Sequence, residues 1–200
     1  MRKRLFTGLQ PSGVLHIGNY FGALKPAVEL AREYESMIMV ADLHALTTLK
    51  EPKTLRENII GVVKDYIGAG LDPSHTVIFQ QSQVQEHAEL AWIFECLVTV
   101  PFLMQAHAYK DKVAKGLEAN AGLFAYPMLM AADILLYDTD VVPVGADQRQ
   151  HVEYAREAAM KFNNAYGQTF KEPQEHILES IAHGVRACVS DPQRPARSDD

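Results

Sequence analysis

Short apolar runs alternate with amphipathic stretches along the first eighty residues, and this alternation constrains the fold more than any other feature. Apolar runs at residues 4–8, 37–41 and 76–79 are bounded by turn or polar residues, as buried parallel strands usually are. Between them, residues 20–33 and 53–67 place apolar side chains on one helical face. This order predicts a Rossmann-like α/β fold, a doubly wound parallel sheet that binds ligands at the carboxyl ends of its strands.

Beyond residue 80 the pattern is mostly helical before one further strand. Pro143 lies inside that strand, and because proline cannot donate a ladder hydrogen bond, we expect a sheet edge or a strand end there. The whole pattern predicts one Rossmann-type domain at residues 1–171 with a helical insertion at 82–125, then an irregular tail at 172–200. The elements predicted in this part are helices at 86–98, 110–121, 126–135 and 147–162 and a strand at 141–145.

Composition and charge exclude several classes of protein. The 200 residues, 48% hydrophobic and 22% charged, describe one ordinary globular domain, and no apolar run approaches the roughly 20 residues that span a bilayer. The basic residues 1–4 lead into turn residues rather than a signal sequence, so a cytoplasmic protein is expected. A net charge of −6 argues against general adhesion to nucleic acid and leaves room for a local basic patch at Lys110, Lys112 and Lys115.

A glycine-containing stretch at residues 11–20 (Pro-Ser-Gly-Val-Leu-His-Ile-Gly-Asn-Tyr) separates the first apolar run from the first amphipathic stretch. Gly13 and Gly18 allow the backbone to approach a ligand closely, and the helix N-terminus offers free N–H groups to an anion. His16 adds a side-chain donor. The stretch indicates a nucleotide site, with a plain glycine turn and a capping Asn19 as the alternative.

One carboxylate, Asp133, lies among small and sulfur-containing apolar residues at 121–133. Tyr126 and Met130 share its predicted helix face, which makes a flat apolar slot with one acceptor in its wall. Such a slot suits an aromatic ring that carries a hydrogen-bond donor. The alternative is a core helix whose Asp133 binds a neighbouring helix end or an arginine.

Two further segments end at the same predicted edge of the sheet. Asp147 and Gln148 follow the strand at 141–145, at the crevice where ligands bind, although Asp147 also suits a helix N-cap. His44 follows the second strand. It lines the same pocket in one interpretation and is a buried, hydrogen-bonded core histidine in the other.

These stretches together resemble one family, the tryptophanyl-tRNA synthetases among the class I aminoacyl-tRNA synthetases. The resemblance runs from about residue 6 to residue 170 and rests on residues 16–19, 122–136 and 141–151. His-Ile-Gly-Asn at 16–19 matches the HIGH-type signature that binds ATP, with asparagine in place of the final histidine. The resemblance implies the catalytic domain of a tryptophan–tRNA ligase.

The implied reaction has two steps: ATP, with Mg²⁺, activates tryptophan as tryptophanyl-adenylate, and the acyl group then passes to tRNA(Trp). No protein-built metal site and no membrane contact are implied. The implied catalytic residues are His16 and Lys112, and the implied ATP-binding residues are Gln10, His16, Gly18, Asn19, Lys112 and Asp147. For tryptophan, Asp133 would accept the indole N–H, Tyr126 and Gln148 would hold the ammonium group, and Met130 and His44 would line the pocket.

Two parts of the family pattern are absent from this sequence. The mobile Lys-Met-Ser-Lys-Ser loop is matched only in part by residues 195–199, and residues 185–192 resemble a segment that some members carry beyond the loop. This register puts a deletion near residues 177–184. The helical anticodon-reading domain is also missing, so we expect a truncated or internally deleted chain with impaired turnover and tRNA recognition that still binds tryptophan and ATP.

Two alternatives to a working ligase stay open: a non-catalytic tryptophan-binding relative or sensor, and a tyrosine-specific synthetase, because a phenol also pairs with a carboxylate. The family also implies a homodimer. Its expected contact is the helical insertion around residues 86–104, where Trp92, Phe94 and Leu97 are available for burial. The alternative is that these side chains belong to an ordinary core.

Overall fold

The computed structural model describes residues 2–144 and 149–177, and its strands within these ranges form one parallel sheet. The strands are β1 (Arg4–Leu9), β2 (Glu35–Val40), β3 (Thr76–Gln80), β4 (Val141–Val144) and β5 (Gln174–Ile177). Their order across the sheet is β3-β2-β1-β4-β5, so the chain winds outward from β1 in both directions. This order confirms the predicted doubly wound parallel sheet.

Of the two positions expected for Pro143, a sheet edge or a strand end, the structure shows the second: β4 lies between β1 and β5, and Pro143 is the next-to-last residue of β4. Pro143 pairs with His176 on β5, whereas β1 pairs with β4 only at Val141, so Pro143 lies beyond the β1 ladder. The edge position belongs to β5 instead. The expectation of an irregular segment at 172–200 is therefore wrong for Gln174–Ile177, whose four residues form no apolar run that would signal a strand.

The helices follow the predicted order with shifted ends. They are α1 (Ile17–Asn19), which continues through a π-helical turn (Tyr20–Leu24) into α2 (Lys25–Ala31), then α3 (Asp42–Ala45), α4 (Pro52–Gly68), a 3₁₀ turn (Gln81–Gln83), α5 (Glu86–Leu97), α6 (Val100–Leu103), α7 (His107–Ala114), α8 (Ala121–Leu135) and α9 (Arg149–Tyr166). The predicted helix at 110–121 corresponds to α7 and ends earlier. α8 begins before the predicted residue 126 because the Asn120 side chain accepts a hydrogen bond from Leu123 N–H (2.8 Å) and caps it.

Two apolar clusters cover the two faces of the sheet. Ile38 and Val40 of β2 pack with α2 and α4, while Met39 between them points to the opposite face and packs with α5, α8 and α9. Because successive side chains of β2 point to opposite faces of the sheet, β2 contributes to both apolar clusters. None of the helices in the described part of the chain is long and apolar enough to cross a membrane.

The helical insertion offers a different surface from the one expected. Phe94 is fully buried, with ring centroids 6.1 Å from Phe162 and 5.7 Å from Phe170, so it is not available for a partner and that expectation is wrong. Leu97 packs against the same core and is partly buried. Trp92 remains 67% exposed. The cause is helical spacing, since Leu90 and Phe94 share the inward face of α5.

The burial of Phe94 gives a stability prediction. We expect Phe94→Ala to lower the free energy of unfolding by about 3–5 kcal/mol, because it removes a whole ring from a close-packed cluster. The control is Ile60→Ala on α4, where the side chain is 55% exposed and the expected change is within about 0.5 kcal/mol. Urea unfolding of both variants measures the difference, and similar losses would show that α5 is packed differently.

Candidate functional site

A cavity of about 550 Å³ lies at the carboxyl ends of β1, β2 and β4. This is the edge at which a doubly wound sheet collects its ligands. Asp147 and Gln148 lie outside the described residues, and His16 and Lys112 do not line the cavity. The other predicted site residues all line it: Gln10, Gly18, Asn19, His44, Tyr126, Met130 and Asp133.

The predicted phosphate-binding stretch is organised by His16, which caps α1. Its Nδ1 accepts hydrogen bonds from the N–H groups of Gly18 (3.1 Å) and Asn19 (3.3 Å), and Asn19 Oδ1 accepts from the His16 N–H (3.0 Å). A Cβ at residue 18 would lie 2.9 Å from the imidazole, so this close approach requires glycine. Because Nδ1 accepts, the neutral ring carries its proton on Nε2. His16 therefore acts on the cavity by fixing Gly18 and Asn19, which line it.

Asp133 stands in the cavity wall, and its carboxylate is the centre of a buried polar cluster. Its Oδ2 lies 2.7 Å from His44 Nε2, and its Oδ1 lies 2.6 Å from His87 Nδ1. Gln81 Nε2 contacts both oxygens, at 2.8 and 3.0 Å. His44 and Gln81 thus hydrogen-bond to the carboxylate, whereas His87 Nδ1 lies close to it without the alignment of a hydrogen bond.

The charge state of Asp133 reflects two opposing effects. Burial, with 2% of the residue exposed, raises the pKa of the carboxyl group. The contacts with His44 and His87 and the electrostatic attraction of their rings lower the pKa by a larger amount than burial raises it. The pKa of Asp133 therefore lies below the ordinary value for aspartate. The group is therefore a charged acceptor at neutral pH, and charged acceptors make the stronger hydrogen bonds.

Two members of this cluster, Gln81 and His87, are not found by sequence reasoning. Both are fully buried. Gln81 Oε1 also accepts a hydrogen bond from Leu43 N–H (3.1 Å), and His87 Nε2 lies 2.8 Å from Tyr137 Oη. A buried acid signals that partners exist, but no local spacing identifies them, because Gln81 is 52 residues away from Asp133 along the chain.

The loops at this edge are tied to each other by side-chain hydrogen bonds. Asp42, at the start of α3, accepts from Gln80 Nε2 (2.7 Å), Ser82 N–H (3.0 Å) and Ser82 Oγ (2.6 Å). Asn120 Nδ2 donates to the Thr47 carbonyl (2.8 Å), which joins the start of α8 to the end of α3. Three separate segments are thereby held in register around the cavity.

An aromatic wall borders the cavity opposite the sheet. The rings of His44 and Tyr126 meet edge to face with centroids 6.3 Å apart, and Tyr126 Oη lies 3.4 Å from His151 Nε2. Burial, and after it the neighbouring Tyr154, raises the pKa of Tyr126, so its hydroxyl keeps its proton at neutral pH. His151 is a further lining residue that the sequence reasoning does not assign to the site.

Lys112 lies on α7, partly buried and away from the cavity lining. Gln150 on α9 holds the start of α7 in place. Its side chain accepts a hydrogen bond from His107 N–H (3.2 Å) and donates one to the Gln105 carbonyl (3.3 Å). The predicted deletion near residues 177–184 and the segments 185–192 and 195–199 fall almost wholly outside the described residues.

A second open groove, of about 770 Å³, lies at the opposite edge of the sheet, around the starts of β2 and β3. It contains none of the predicted site residues. Within residues 2–144 and 149–177, no three His, Cys, Asp or Glu side chains are grouped so as to hold a metal ion.

Comparisons with known sequences point to one family. The family model described as tRNA synthetases class I (W and Y) matches residues 2–186. The chain is 54% identical over 181 residues to the tryptophan–tRNA ligase of Fusobacterium nucleatum, covering 90% of this chain and 56% of that protein. It is 45% identical over 195 residues to that of Rhodopirellula baltica, covering 98% and 60%. The chain thus spans little more than half the length of these relatives.

Comparisons with solved structures also find aminoacyl-tRNA synthetases. The tryptophanyl-tRNA synthetase of Campylobacter jejuni superposes with a TM-score of 0.85 at 47% identity, covering 90% of this chain and 56% of that one. A structure of that enzyme complexed with ADP and tryptophan gives 0.83 at 48% identity, with 88% and 55% covered. A tyrosyl-tRNA synthetase from Archaeoglobus fulgidus shares the fold, at 22% identity with a TM-score of 0.70 and coverage of 86% and 53%.

The lowered pKa of Asp133 predicts how stability depends on pH. Because the unfolded chain binds this proton more tightly, Asp133 contributes stability above the ordinary aspartate pKa of about 4, and that contribution is lost as pH falls through the folded value. We expect Asp133→Asn to reduce the loss of unfolding free energy between pH 6 and pH 3. Urea unfolding at both pH values measures this, with the exposed Asp65→Asn as control. If Asp133→Asn and the unaltered chain lost the same unfolding free energy between pH 6 and pH 3, that result would contradict a charged Asp133 in the folded protein.

Proposed function

The chain belongs to the class I tRNA synthetases of the W and Y family, and we propose that it carries the site at which tryptophan is activated with ATP for ligation to tRNA. The observation that carries this proposal is the charged, buried Asp133 in the wall of the cavity at the strand ends. An apolar cavity with one fixed acceptor suits an aromatic ring with an N–H donor. Gly18 and Asn19, at the start of α1, line the neighbouring part of the same cavity.

Tryptophan recognition rests on Asp133 as the acceptor of the indole N–H. The carboxylate already accepts hydrogen bonds from His44 and Gln81, so we infer that one of these contacts opens when the ring enters. The contact that opens is the one with His44, because His44 lines the cavity and has 14% of its side chain exposed. Gln81 and His87 are fully buried and do not line the cavity. Met130 would pack on the ring, and Tyr126 with Gln148 would hold the ammonium group.

ATP binding is proposed for the adjacent part of the cavity. Gly18 and Asn19 present the backbone of α1 to the nucleotide, His16 fixes their geometry and Gln10 lies beside them. Lys112 would supply a cation to the triphosphate and Asp147 would contact the ribose. Mg²⁺ would arrive on the nucleotide phosphates, where it offsets their charge, because the described residues offer no metal-ligand cluster of their own.

The proposed chemistry is a displacement at phosphorus. The tryptophan carboxylate oxygen forms a bond to the α-phosphate, the bond to the β-phosphate oxygen breaks, and pyrophosphate leaves. No side chain forms a covalent bond, so the residues act by holding both substrates in line and by stabilising charge on the leaving group. Asp133 would hold the ring, Lys112 would act at the phosphates, and His16 would fix Gly18 and Asn19 beside them.

The proposal also includes two macromolecular partners, tRNA(Trp) and a second copy of the chain. Transfer of the acyl group to tRNA(Trp) would follow in the cytoplasm. A homodimer would use the exposed side of the helical insertion, where Trp92, Val100 and Met104 remain accessible while Phe94 is buried.

Tryptophan binding gives the first test. We expect Asp133→Asn to weaken tryptophan binding about tenfold or more, because the charged acceptor is lost. The control, Asp65→Asn, makes the same chemical change on the exposed face of α4 and leaves affinity unchanged. Isothermal titration calorimetry measures both, and equal affinities in the two variants would remove Asp133 from the recognition site.

Exchange of labelled pyrophosphate into ATP tests adenylate formation. We expect exchange that depends on tryptophan and not on tyrosine, and that falls when Lys112 is replaced by alanine, because a cation at the leaving group is lost. Tryptophan binding without exchange would instead identify a non-catalytic tryptophan-binding protein. Exchange with tyrosine would identify a tyrosine-specific enzyme.

A further inference from the structure

Gln81 is a fully buried amide to which the proposed reaction gives no role. It begins the 3₁₀ turn that follows β3, and it does not line the cavity. Its Nε2 donates to both carboxylate oxygens of Asp133, at 2.8 and 3.0 Å, and its Oε1 accepts a hydrogen bond from the Leu43 N–H at 3.1 Å. The side chain thus links the backbone at the start of α3 to the carboxylate in the cavity wall.

The amide of Gln81 can face Asp133 in only one orientation. The Leu43 N–H is a donor and needs an acceptor, so the amide oxygen points to it. The reversed amide would set two N–H donors against each other at Leu43 and an amide oxygen against the carboxylate of Asp133. The amide nitrogen is therefore the atom that is held against the carboxylate.

The backbone of Gln81 is fixed by its two neighbours, which both bond to Asp42. Gln80 Nε2 donates to Asp42 Oδ2 (2.7 Å), and Ser82 donates to the same carboxyl group from its N–H (3.0 Å) and from its Oγ (2.6 Å). These contacts anchor the turn on both sides of Gln81. Both ends of its side chain are bonded and its backbone is held, so the amide keeps one position.

His44 and Gln81 hold the carboxylate of Asp133 from different sides. His44 lines the cavity, whereas Gln81 is buried outside the lining, so a ligand that enters the cavity can displace His44 without reaching Gln81. The torsion that rotates an aspartate carboxylate is soft and needs contacts to fix it. Because Gln81 contacts both oxygens and His44 only Oδ2, release of His44 leaves the rotation that Gln81 sets.

We propose that Gln81 is a positioning residue for recognition of the indole ring: its side-chain N–H fixes the rotation of the Asp133 carboxylate, so that one oxygen faces the cavity as an acceptor when His44 leaves it. This rests on the proposed function, since it needs a ligand with a ring N–H. The amide is neutral, so it orients the carboxylate without a full positive charge that would compete with the ligand. Gln81 touches no substrate and acts through Asp133.

Gln81→Met is the variant that removes the amide. Methionine has a similar length and no N–H, so Asp133 loses the contact that sets its rotation while the space stays filled. The Leu43 N–H also loses its acceptor, which lowers stability and affects all ligands alike. The matched control is Ser82→Ala on the same turn, which removes the hydroxyl that bonds to Asp42 and leaves the contacts of Gln81 in place.

The probe is a pair of ligands: tryptophan and its benzothiophene analogue, in which sulfur replaces the ring N–H. Calorimetry gives the ratio of their affinities for each variant, and thermal unfolding establishes that each variant is folded. We expect Gln81→Met to lower this ratio about tenfold, because a carboxylate that is free to rotate is no longer aimed at the ring N–H. Ser82→Ala should leave the ratio unchanged.

An unchanged ratio in folded Gln81→Met would overturn the inference while leaving the proposed function standing, as long as the unaltered chain prefers tryptophan to the analogue. An unaltered chain that binds no tryptophan, or binds both ligands equally, would instead overturn the proposed role of Asp133 itself.

A second measurement uses the unaltered chain and does not depend on any variant. NMR of the ¹⁵N-labelled chain follows the side-chain amide of Gln81 and the ring of His44 as tryptophan is added. We expect the amide to keep its hydrogen-bonded signal and the His44 ring signals to change, because only the His44 contact opens. Loss of the hydrogen-bonded Gln81 signal on binding would overturn the inference.

Discussion

The charge on Asp133 has to be paired inside the protein, and that pairing determines how the loops at the strand ends meet. An unpaired carboxylate in an apolar wall would be neutral or strongly destabilising. His44 from the end of β2, Gln81 from the end of β3 and His87 from α5 all converge on it. The cluster thus ties the segments that follow β2 and β3, together with α5, to α8. The proposed recognition site and a structural cross-link are therefore built from the same atoms.

The start of α1 shows a similar double role. Its histidine and asparagine side chains bond to each other's backbone, so the His-Ile-Gly-Asn segment is a capped helix start, and its role as a ligand site is the proposal. The sequence offered these as alternatives, a capping Asn19 or a nucleotide-binding turn. They are compatible, because a rigid cap is what holds Gly18 and Asn19 at the cavity. Gly18 is needed for the space that the His16 ring fills.

Local sequence patterns predict the strands β1 to β4 and most of the residues that line the cavity. They do not predict contacts between residues that are distant along the chain. The runs that became β1, β2 and β3 were apolar and bounded by turns, and the faces of α2 and α4 followed helical spacing. β5 carries no such run, and its presence places β4 inside the sheet despite Pro143. Phe94 looked available for a partner because spacing alone does not say which face α5 buries. His87 was invisible for the same reason, since only the tertiary fold brings it to Asp133.

A crystal structure of the chain with bound tryptophan would show whether Asp133 accepts the indole N–H. We expect the ring in the cavity at the ends of β1, β2 and β4, with the indole nitrogen within hydrogen-bond distance of Asp133 and with His44 released from that oxygen. A ring bound elsewhere, or an indole nitrogen turned away from an Asp133 that keeps its His44 contact, would show that Asp133 does not recognise the ring.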